Sequence, residues 1–499
     1  MRLLLINPKF PESFWSFSWT FDHIVRDKKA LSTPLGLATV AALCPPDWDV
    51  RILDENVEPI DWDYDADIVG VCGMGVQFLR QKEILSAFRK RGRYVVAGGS
   101  YASLCPHEYS ELAETTIAGE AELIWPQFCG DFEKGSPLKL YRQTGEIDPK
   151  HSPVPRFDLL KTSLYYQVGI QFSRGCPFLC EFCDIIVMFG RKPRTKSPDQ
   201  IEQELDSLRA LGVSNVFFVD DNLIGHLPEC RKLLAFLAEY QKKHRYSFTF
   251  GTEASINMAA DPKLLELFRA ANFEWVFIGI ESPNRDSLME TKKTQNTRHD
   301  LLESVRTIYS FGLDVLAGFI VGFDADDETI FDRHFQFIVD SGIILSAVGL
   351  LTAIPNTPLF ERLQKANRLR AANEFSTIRN NFAATNLNPL RMSYQDLIKG
   401  FRNLQARLGE EKAIYQRISN KFRYLSNPRI PFQLSIRQIW IYFWRLLIHG
   451  LLPGGYRRWF YFLRSLFLAF KNSIKLPILI VNWTYALSFR QFCLDEVIE

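Results

Sequence analysis

The chain has 499 residues, enough for about three domains rather than one. It is 47% hydrophobic and 23% charged, with 25 Pro and 28 Gly, which excludes a disordered, collagen-like or coiled-coil protein. A net charge of +2 excludes a bulk electrostatic field for nucleic acid.

The apolar start Met1–Ile6 is too short for a secretory signal and runs into Asn7-Pro8, so it reads as the first strand of a cytoplasmic protein. No segment reaches the roughly 18–20 uncharged residues of a spanning helix; Leu476 to Phe489 comes nearest. Nine Cys, an odd number in such a chain, argue against a disulfide framework. Six of them, Cys44, Cys72, Cys105, Cys129, Cys230 and Cys493, are scattered and read as small buried hydrophobes.

Residues 1–150 alternate short Val/Ile-rich runs with helical patterns. The runs are Arg2–Ile6, Val50–Leu53, Ile68–Cys72, Tyr94–Ala97 and Thr115–Ala118. Strands separated by helices imply a parallel, doubly wound sheet with right-handed crossovers. Such a sheet takes its ligand beyond the carboxyl ends of its strands. Those ends carry Asn7, Gly73, Gly75, Gly98, Gly99, Ser100, Gly119 and Glu120. Glycines there permit close backbone approach to a ligand, although each alone is also ordinary turn chemistry. No G-x-G-x-x-G follows the first strand, which disfavours a dinucleotide.

A linker with Pro153 and Pro155 runs from His151 to Leu160. A second strand series follows, in a domain expected over 160–375: Val168–Phe172, Val216–Val219, Phe248–Gly251, Val276–Ile280, Val315–Val321 and Ala347–Leu351. Helical patterns at Pro198–Leu211, Pro228–Lys243, Pro262–Ala271 and Thr297–Phe311 lie between them. Six βα units are two short of a closed eight-unit barrel, so the pattern predicts an open, partial one. The remaining stretch, 376–499, has no strand rhythm and reads as a helical domain.

The first barrel strand ends in Ser173-Arg174-Gly175-Cys176-Pro177-Phe178-Leu179-Cys180-Glu181-Phe182-Cys183. Three Cys spaced x3 and x2 suit a loop wrapped around one iron–sulfur cubane. With no fourth Cys nearby, one iron is left open to a small ligand, as in a catalytic metal site. A structural zinc would want four ligands, and no His or further Cys stands at finger spacing. At these residues, Phe182 included, the sequence resembles the radical S-adenosylmethionine superfamily. The resemblance implies a [4Fe-4S] cluster on Cys176, Cys180 and Cys183. Its open iron would chelate S-adenosylmethionine, whose reductive cleavage gives a 5′-deoxyadenosyl radical, with electrons from a flavodoxin- or ferredoxin-like protein. Later strand ends resemble the family as well: Asp220-Asp221-Asn222, Glu253, Glu281-Ser282, and Gly318 to Gly322. Carboxylates there can take ribose hydroxyls or an amine as charge-assisted hydrogen bonds. The bland reading of each is a helix cap or an ion pair.

The order of the domains resembles the cobalamin-binding class of these enzymes. Within it the chain is most similar to the hopanoid C-2 methylase-like subset, through Pro155–Leu160, Gln171–Pro177, Cys183–Ile186 and Val219–Gly225. The Asp-x-His-x-x-Gly motif is missing, so no His can be named as lower cobalt ligand. The resemblance implies methylation of an unactivated carbon in a lipid or natural product. The alternatives are a radical transferase or cyclase without methyl transfer, including 3-amino-3-carboxypropyl transfer, and a membrane-associated iron–sulfur sensor.

From Pro431 to Leu494 the chain has eight Lys or Arg, no Asp or Glu, and 16 aromatics in 64 residues. Basic residues among Trp and Phe on helices suit an anionic membrane surface at the inner face. Phe467, Phe470, Ile474 and Leu479 are expected to share one apolar face. The competing reading is a packed helical domain that buries its aromatics.

Overall fold

The computed structural model describes residues 1–370, 383–426, 435–470 and 475–498. Two compact units emerge. The first takes Met1–Pro11, Lys29–Pro177 and Asp184–Val219; the second takes Glu12–Lys28, Phe178–Cys183 and Asp220–Glu499.

The first unit holds β1 (Arg2–Asn7), β2 (Ala30–Ser32), β3 (Asp49–Asp54), β4 (Ile68–Cys72), β5 (Tyr94–Gly98), β6 (Thr115–Ala118), β7 (Leu140–Arg142), β8 (Tyr165–Ile170), β9 (Ser173–Arg174), β10 (Arg194–Thr195) and β11 (Asn215–Phe218). Six of these form a parallel sheet in the order β3-β1-β4-β5-β6-β7. Leu3–Ile6 are buried on both faces, the pattern of a parallel strand covered by helices on each side. The strand order reverses at β1, which has β3 on one flank and β4 on the other. That is the switch point at which a doubly wound sheet opens a crevice beyond its carboxyl edge. A second parallel set runs β2-β8-β11, and β9 pairs antiparallel with β10. β2, β7, β9 and β10 are too short for the apolar pattern to reveal. The other strands of this unit lie within three residues of expectation at either end.

The second unit holds β12 (Thr249–Glu253), β13 (Phe273–Glu281), β14 (Asp314–Val321) and β15 (Ser346–Leu350), parallel and adjacent in chain order. Helices Pro262–Ala270, Leu301–Ser310 and Ile330–Ser341 alternate with them. Pro262 occupies a first turn, and the Asp261 side chain caps the Leu264 amide. On β13, fully buried Val276, Ile278 and Ile280 alternate with the less buried Trp275, Phe277 and Gly279. One face of the strand therefore lies in the core, and the other is less deeply buried.

The C-terminal region is helical, as expected, over Tyr394–Leu408, Glu411–Tyr424, Ile436–Arg445, Gly455–Phe470 and Lys475–Cys493. Leu479 and Trp483 on the last helix are fully buried. Leu479 is thus core rather than part of an exposed face, because this helix packs on its neighbours; Phe462 meets Trp483 with ring centroids 5.8 Å apart. Ile474, with the rest of 471–474 and with 431–434, lies outside the described residues. No described helix is long and apolar enough to cross a membrane. No disulfide joins any of the nine cysteines; Cys105, Cys129, Cys230 and Cys493 are buried, and Cys44 and Cys72 partly so.

Candidate functional site

In the first unit, Asn7 and Gly73 flank the switch point between β1 and β4. Asn7 donates to Asp54 Oδ1 (3.0 Å) and accepts from Gln77 Nε2 (3.2 Å). Gly99 has φ +101°, and a Cβ there would lie 2.5 Å from the Gly73 carbonyl, so this glycine serves the fold. Gly98 differs, because its nearest neighbour would be Ile117 at 4.0 Å. Gly119 has φ +124° under the Gln143 side chain, and Ser100 opens the short helix Ser100–Leu104. Met74 and Val76, on either side of Gly75, stand 52% and 43% exposed. An open crevice edge with apolar side chains and one uncrowded glycine fits a broad, partly apolar ligand such as a corrin.

Glu120 is committed differently. One oxygen meets Arg174 at 2.6 Å, and the other meets Arg194 at 2.8 Å. Arg174 also pairs with Glu122 at 2.7 Å, and Ser152 donates to that carboxylate at 2.6 Å. Burial raises the Glu122 pKa, but the Arg174 charge and hydrogen bond outweigh it and hold the group below the usual range. This buried cluster sits directly before the cysteine loop. Gly175 then turns the chain at φ +95°, where a Cβ would come within 3.1 Å of the Gly190 and Lys192 carbonyls. The Cys176 amide donates to Gly190 at 3.3 Å. Glu120, expected at a ligand-binding strand end, is thereby a support of the Cys176 loop.

The rest of the loop belongs to the second unit. Cys180 is buried and accepts from Gln295 Nε2 at 3.6 Å. The Glu181 amide donates to the Thr291 carbonyl (3.1 Å), and its carboxylate meets Arg362 at 2.6 Å. Phe182 packs against Phe323 with centroids 6.1 Å apart, and Lys293 Nζ stands 5.9 Å from the Phe182 ring. Burial alone would lower the Lys293 pKa; the Glu281 carboxylate and the Cys180 and Cys183 thiols beside it raise it instead. Lys293 is therefore a fixed cation next to two of the three cysteines. Among the described residues no three His, Cys, Asp or Glu side chains are grouped as ligands of a single metal ion.

Glu281 ends β13 at φ +63°, beyond an irregularity in its pairing with β14. Its carboxylate pairs with Lys293 at 2.8 Å. Buried His334 sets one ring nitrogen 3.2 Å from the Glu281 carbonyl and the other 3.0 Å from that of Ile330. Burial holds the His334 pKa below its usual value, against the hydrogen bonds to the carbonyls that raise it. Glu253 ends β12, where its backbone carbonyl accepts from the Leu223 amide at 3.0 Å. Burial first, then the Asp221 and Asp220 carboxylates, push the Glu253 pKa up to about 8. A carboxyl raised this far holds its proton more readily than an ordinary carboxylate and can donate as well as accept. Asp220 and Ser282 are buried, and the Ser282 hydroxyl accepts from the Asn284 amide at 3.1 Å. Gly318 leaves room for the Phe277 ring, which a Cβ would approach to 3.2 Å. Gly322, at φ +105°, donates to Asp326 at 2.9 Å.

The second unit thus gathers Cys180, Phe182, Lys293 and Glu281, with Glu253 at the neighbouring strand end. Gln295 Oε1 and Asn296 Oδ1 are buried there without partners. Unpartnered buried acceptors beside thiols fit a ligand that brings N–H or O–H donors, as the amine and ribose of S-adenosylmethionine would. Sequence reasoning missed Lys293, Gln295, Asn296 and His334. They lie in no motif, and only folding brings them to the strand ends.

Residues 170–338 match the Radical SAM superfamily, and residues 357–497 match a domain of unknown function, DUF4070. The chain is 42% identical over 374 residues to an uncharacterized methyltransferase of Synechocystis sp., covering 74% of this chain and 69% of that protein. It is 36% identical over 377 residues to the hopanoid C-2 methylase of Rhodopseudomonas palustris, covering 74% and 71%. Its fold is that of the cobalamin-dependent S-adenosylmethionine radical enzyme OxsB, with TM-score 0.61, 16% identity, and coverage of 100% of this chain and 79% of that one. The expected architecture, α/β with a curled parallel half-barrel and many helices, holds.

Proposed function

Because the chain belongs to the radical S-adenosylmethionine superfamily and resembles the hopanoid C-2 methylase over three quarters of its length, we propose that it is a cobalamin-dependent C-methylase. Its cofactors as a superfamily member are a [4Fe-4S] cluster and S-adenosylmethionine; cobalamin is the proposed third. Bound together, they supply a substrate-activating radical and a transferable methyl group. Cys176, Cys180 and Cys183 hold the cluster. Lys293 balances the negative charge of the thiolates and keeps Glu281 in place. Glu253 offers a neutral carboxyl donor, and Gln295 and Asn296 offer acceptors, to the S-adenosylmethionine. Asn7, Gly73, Gly75 and Gly98 border the crevice for the corrin, in the domain read over 1–150. The substrate is an unactivated carbon in a lipid or natural product, and the electrons come from a flavodoxin- or ferredoxin-like partner.

The observation that carries this reading is the 36% identity to a methylase together with a sheet switch point, free of a dinucleotide fingerprint, ahead of the cysteine loop. The test is anaerobic reconstitution of the full chain with iron, sulfide, cobalamin and methyl-labelled S-adenosylmethionine, with a membrane lipid extract as substrate. Label should enter a lipid product only when cobalamin is present. Cleavage of S-adenosylmethionine without any methylated product would support a radical enzyme of another kind.

A further inference from the structure

Two consecutive helical segments near the C-terminus turn large apolar side chains to solvent. Trp440, Trp444 and Ile448 recur every four residues and are each more than half exposed. After the break at Leu452–Gly454, helix Gly455–Phe470 repeats the pattern with Tyr456, Phe460, Leu463, Phe467 and Phe470, at steps of four and three. Those steps place five side chains on one helical face. The opposite face is the packed one, with Phe462, Ser465 and Ala469 buried. Counting Leu452, nine of the fourteen described large apolar side chains that are at least half exposed fall within these 31 residues. Single exposed apolar residues need no explanation, whereas a concentration like this marks a contact surface.

The charges decide what the surface contacts. The sequence has no Asp or Glu from 431 to 494. Arg437, Arg457 and Arg464 are exposed among the apolar rows. Arg464 lies between the Tyr415 and Phe460 rings, 4.8 and 5.5 Å from their centroids. The other two arginines of these helices are used internally: Arg445 donates to the Ile24 carbonyl (2.7 Å), and Arg458 donates to Gly450 (2.7 Å) and meets Glu411 at 3.3 Å. A second copy of the same face would set cation against cation. An anionic bilayer offers the opposite charge at its headgroups and an apolar layer beneath, and Trp and Tyr favour that boundary. We propose that helices Ile436–Arg445 and Gly455–Phe470 are a docking face for an anionic lipid bilayer. They lie in its interface without crossing it. This gives a role to two helices of the stretch matched by a domain of unknown function, and it rests on the lipid-substrate reading only for its purpose.

The test is flotation of the full-length, cluster-loaded protein with vesicles of phosphatidylcholine carrying about one third phosphatidylglycerol, beside vesicles of phosphatidylcholine alone. Binding should be stronger to the anionic vesicles by about tenfold or more, and should fall with salt without vanishing. Phe467→Ser with Phe470→Ser should lower it about tenfold or more on both lipids. Arg437→Glu with Arg457→Glu should abolish the preference for anionic lipid while leaving the apolar part. Iron content and the circular dichroism of each variant confirm that it folds. Absence of flotation at low salt overturns the proposal. So does a lipid-free dimer that the Phe467/Phe470 pair of substitutions dissolves, since a second copy would then own the face. Reductive cleavage of S-adenosylmethionine, followed without vesicles, reports separately on the enzymatic reading.

Discussion

Lys293 reaches Glu281 across a strand position that has no side chain. The two groups lie 2.8 Å apart, and a Cβ on Gly279 would stand 2.2 Å from the Glu281 carboxylate and 2.8 Å from Lys293 Nζ. Gly279 is therefore what allows the pair to form at the end of β13. Gly279→Ala should cost about 1–3 kcal/mol of stability through overpacking. Lys293→Met should weaken S-adenosylmethionine binding about tenfold, since Glu281 is then left buried and uncompensated. Equilibrium titration with the cofactor checks the second expectation and thermal unfolding the first. Unchanged affinity in Lys293→Met would remove this lysine from the site.

Glu253 gives a pH signature. Its pKa of about 8 in the folded chain lies above the ordinary 4.5. Between those values the folded state holds a proton that the unfolded chain has lost, so the contribution to stability is full below about pH 4.5 and declines as pH rises toward 8. Melting of the cofactor-free protein should show this decline, and Glu253→Gln should flatten it. An identical slope in both proteins would mean that Glu253 titrates normally.

Gly98 and Gly99 part company in their expected effects. The Cβ of Gly98→Leu meets nothing closer than Ile117 at 4.0 Å, so the change should cost little stability and reduce corrin uptake about tenfold or more. Gly99→Ala forces a side chain onto the Gly73 carbonyl at positive φ and should destabilise the sheet edge itself. Corrin absorbance after reconstitution, read beside a melt, separates them. Full corrin loading in Gly98→Leu would place the ligand elsewhere.

The cluster assignment is tested by iron. Reconstituted protein should carry about four irons per chain, and replacing Cys176, Cys180 and Cys183 by Ala should remove them together with all cleavage of S-adenosylmethionine. A full cluster in the triple variant would falsify the ligand set.

Arg174→Met should leave Glu120 with Arg194 and Gln143 and should leave Glu122 without a cationic partner. Uncompensated buried charge costs about 3–5 kcal/mol. Adding Glu122→Gln should restore part of that loss, measured by denaturant unfolding. No rescue would mean that Arg174 acts through its contact with Gln171 instead.

What the sequence made legible was what is written locally. Val168 to Phe172 and Val315 to Val321 announced their strands through apolar runs, and the cysteine spacing announced the cluster loop. Pairings between distant residues were not legible. Arg174 is 54 residues from Glu120, and His334 is 53 from Glu281. Only the parallel topology sets such residues side by side. Glu120 looked like a ligand residue because it ends a strand, and the arginines that claim it carry no local signal. The C-terminal helices were read as one basic, aromatic tract, yet exposure divides them: Phe467 faces solvent and Trp483 is core.

The excursion of Glu12–Lys28 has a consequence for how the protein is made. Phe14 packs against Phe489, Phe17 against Tyr485, and Trp15 against Phe277, with centroids 5.3, 5.6 and 5.3 Å apart. β1 and its sheet neighbours can assemble while the chain is still emerging, but Trp15 must wait for Phe277, and Phe14 and Phe17 far longer, for Phe489 and Tyr485. At about 5–20 residues per second the wait is roughly 25–95 s. For that time a newborn chain carries an uncovered aromatic segment near its N-terminus, which is a natural station for a chaperone. A fragment ending at residue 150 would never be relieved of it. Nascent-chain capture at successive lengths should find holdase contacts over 12–28 that persist until helix Lys475–Cys493 has left the ribosome.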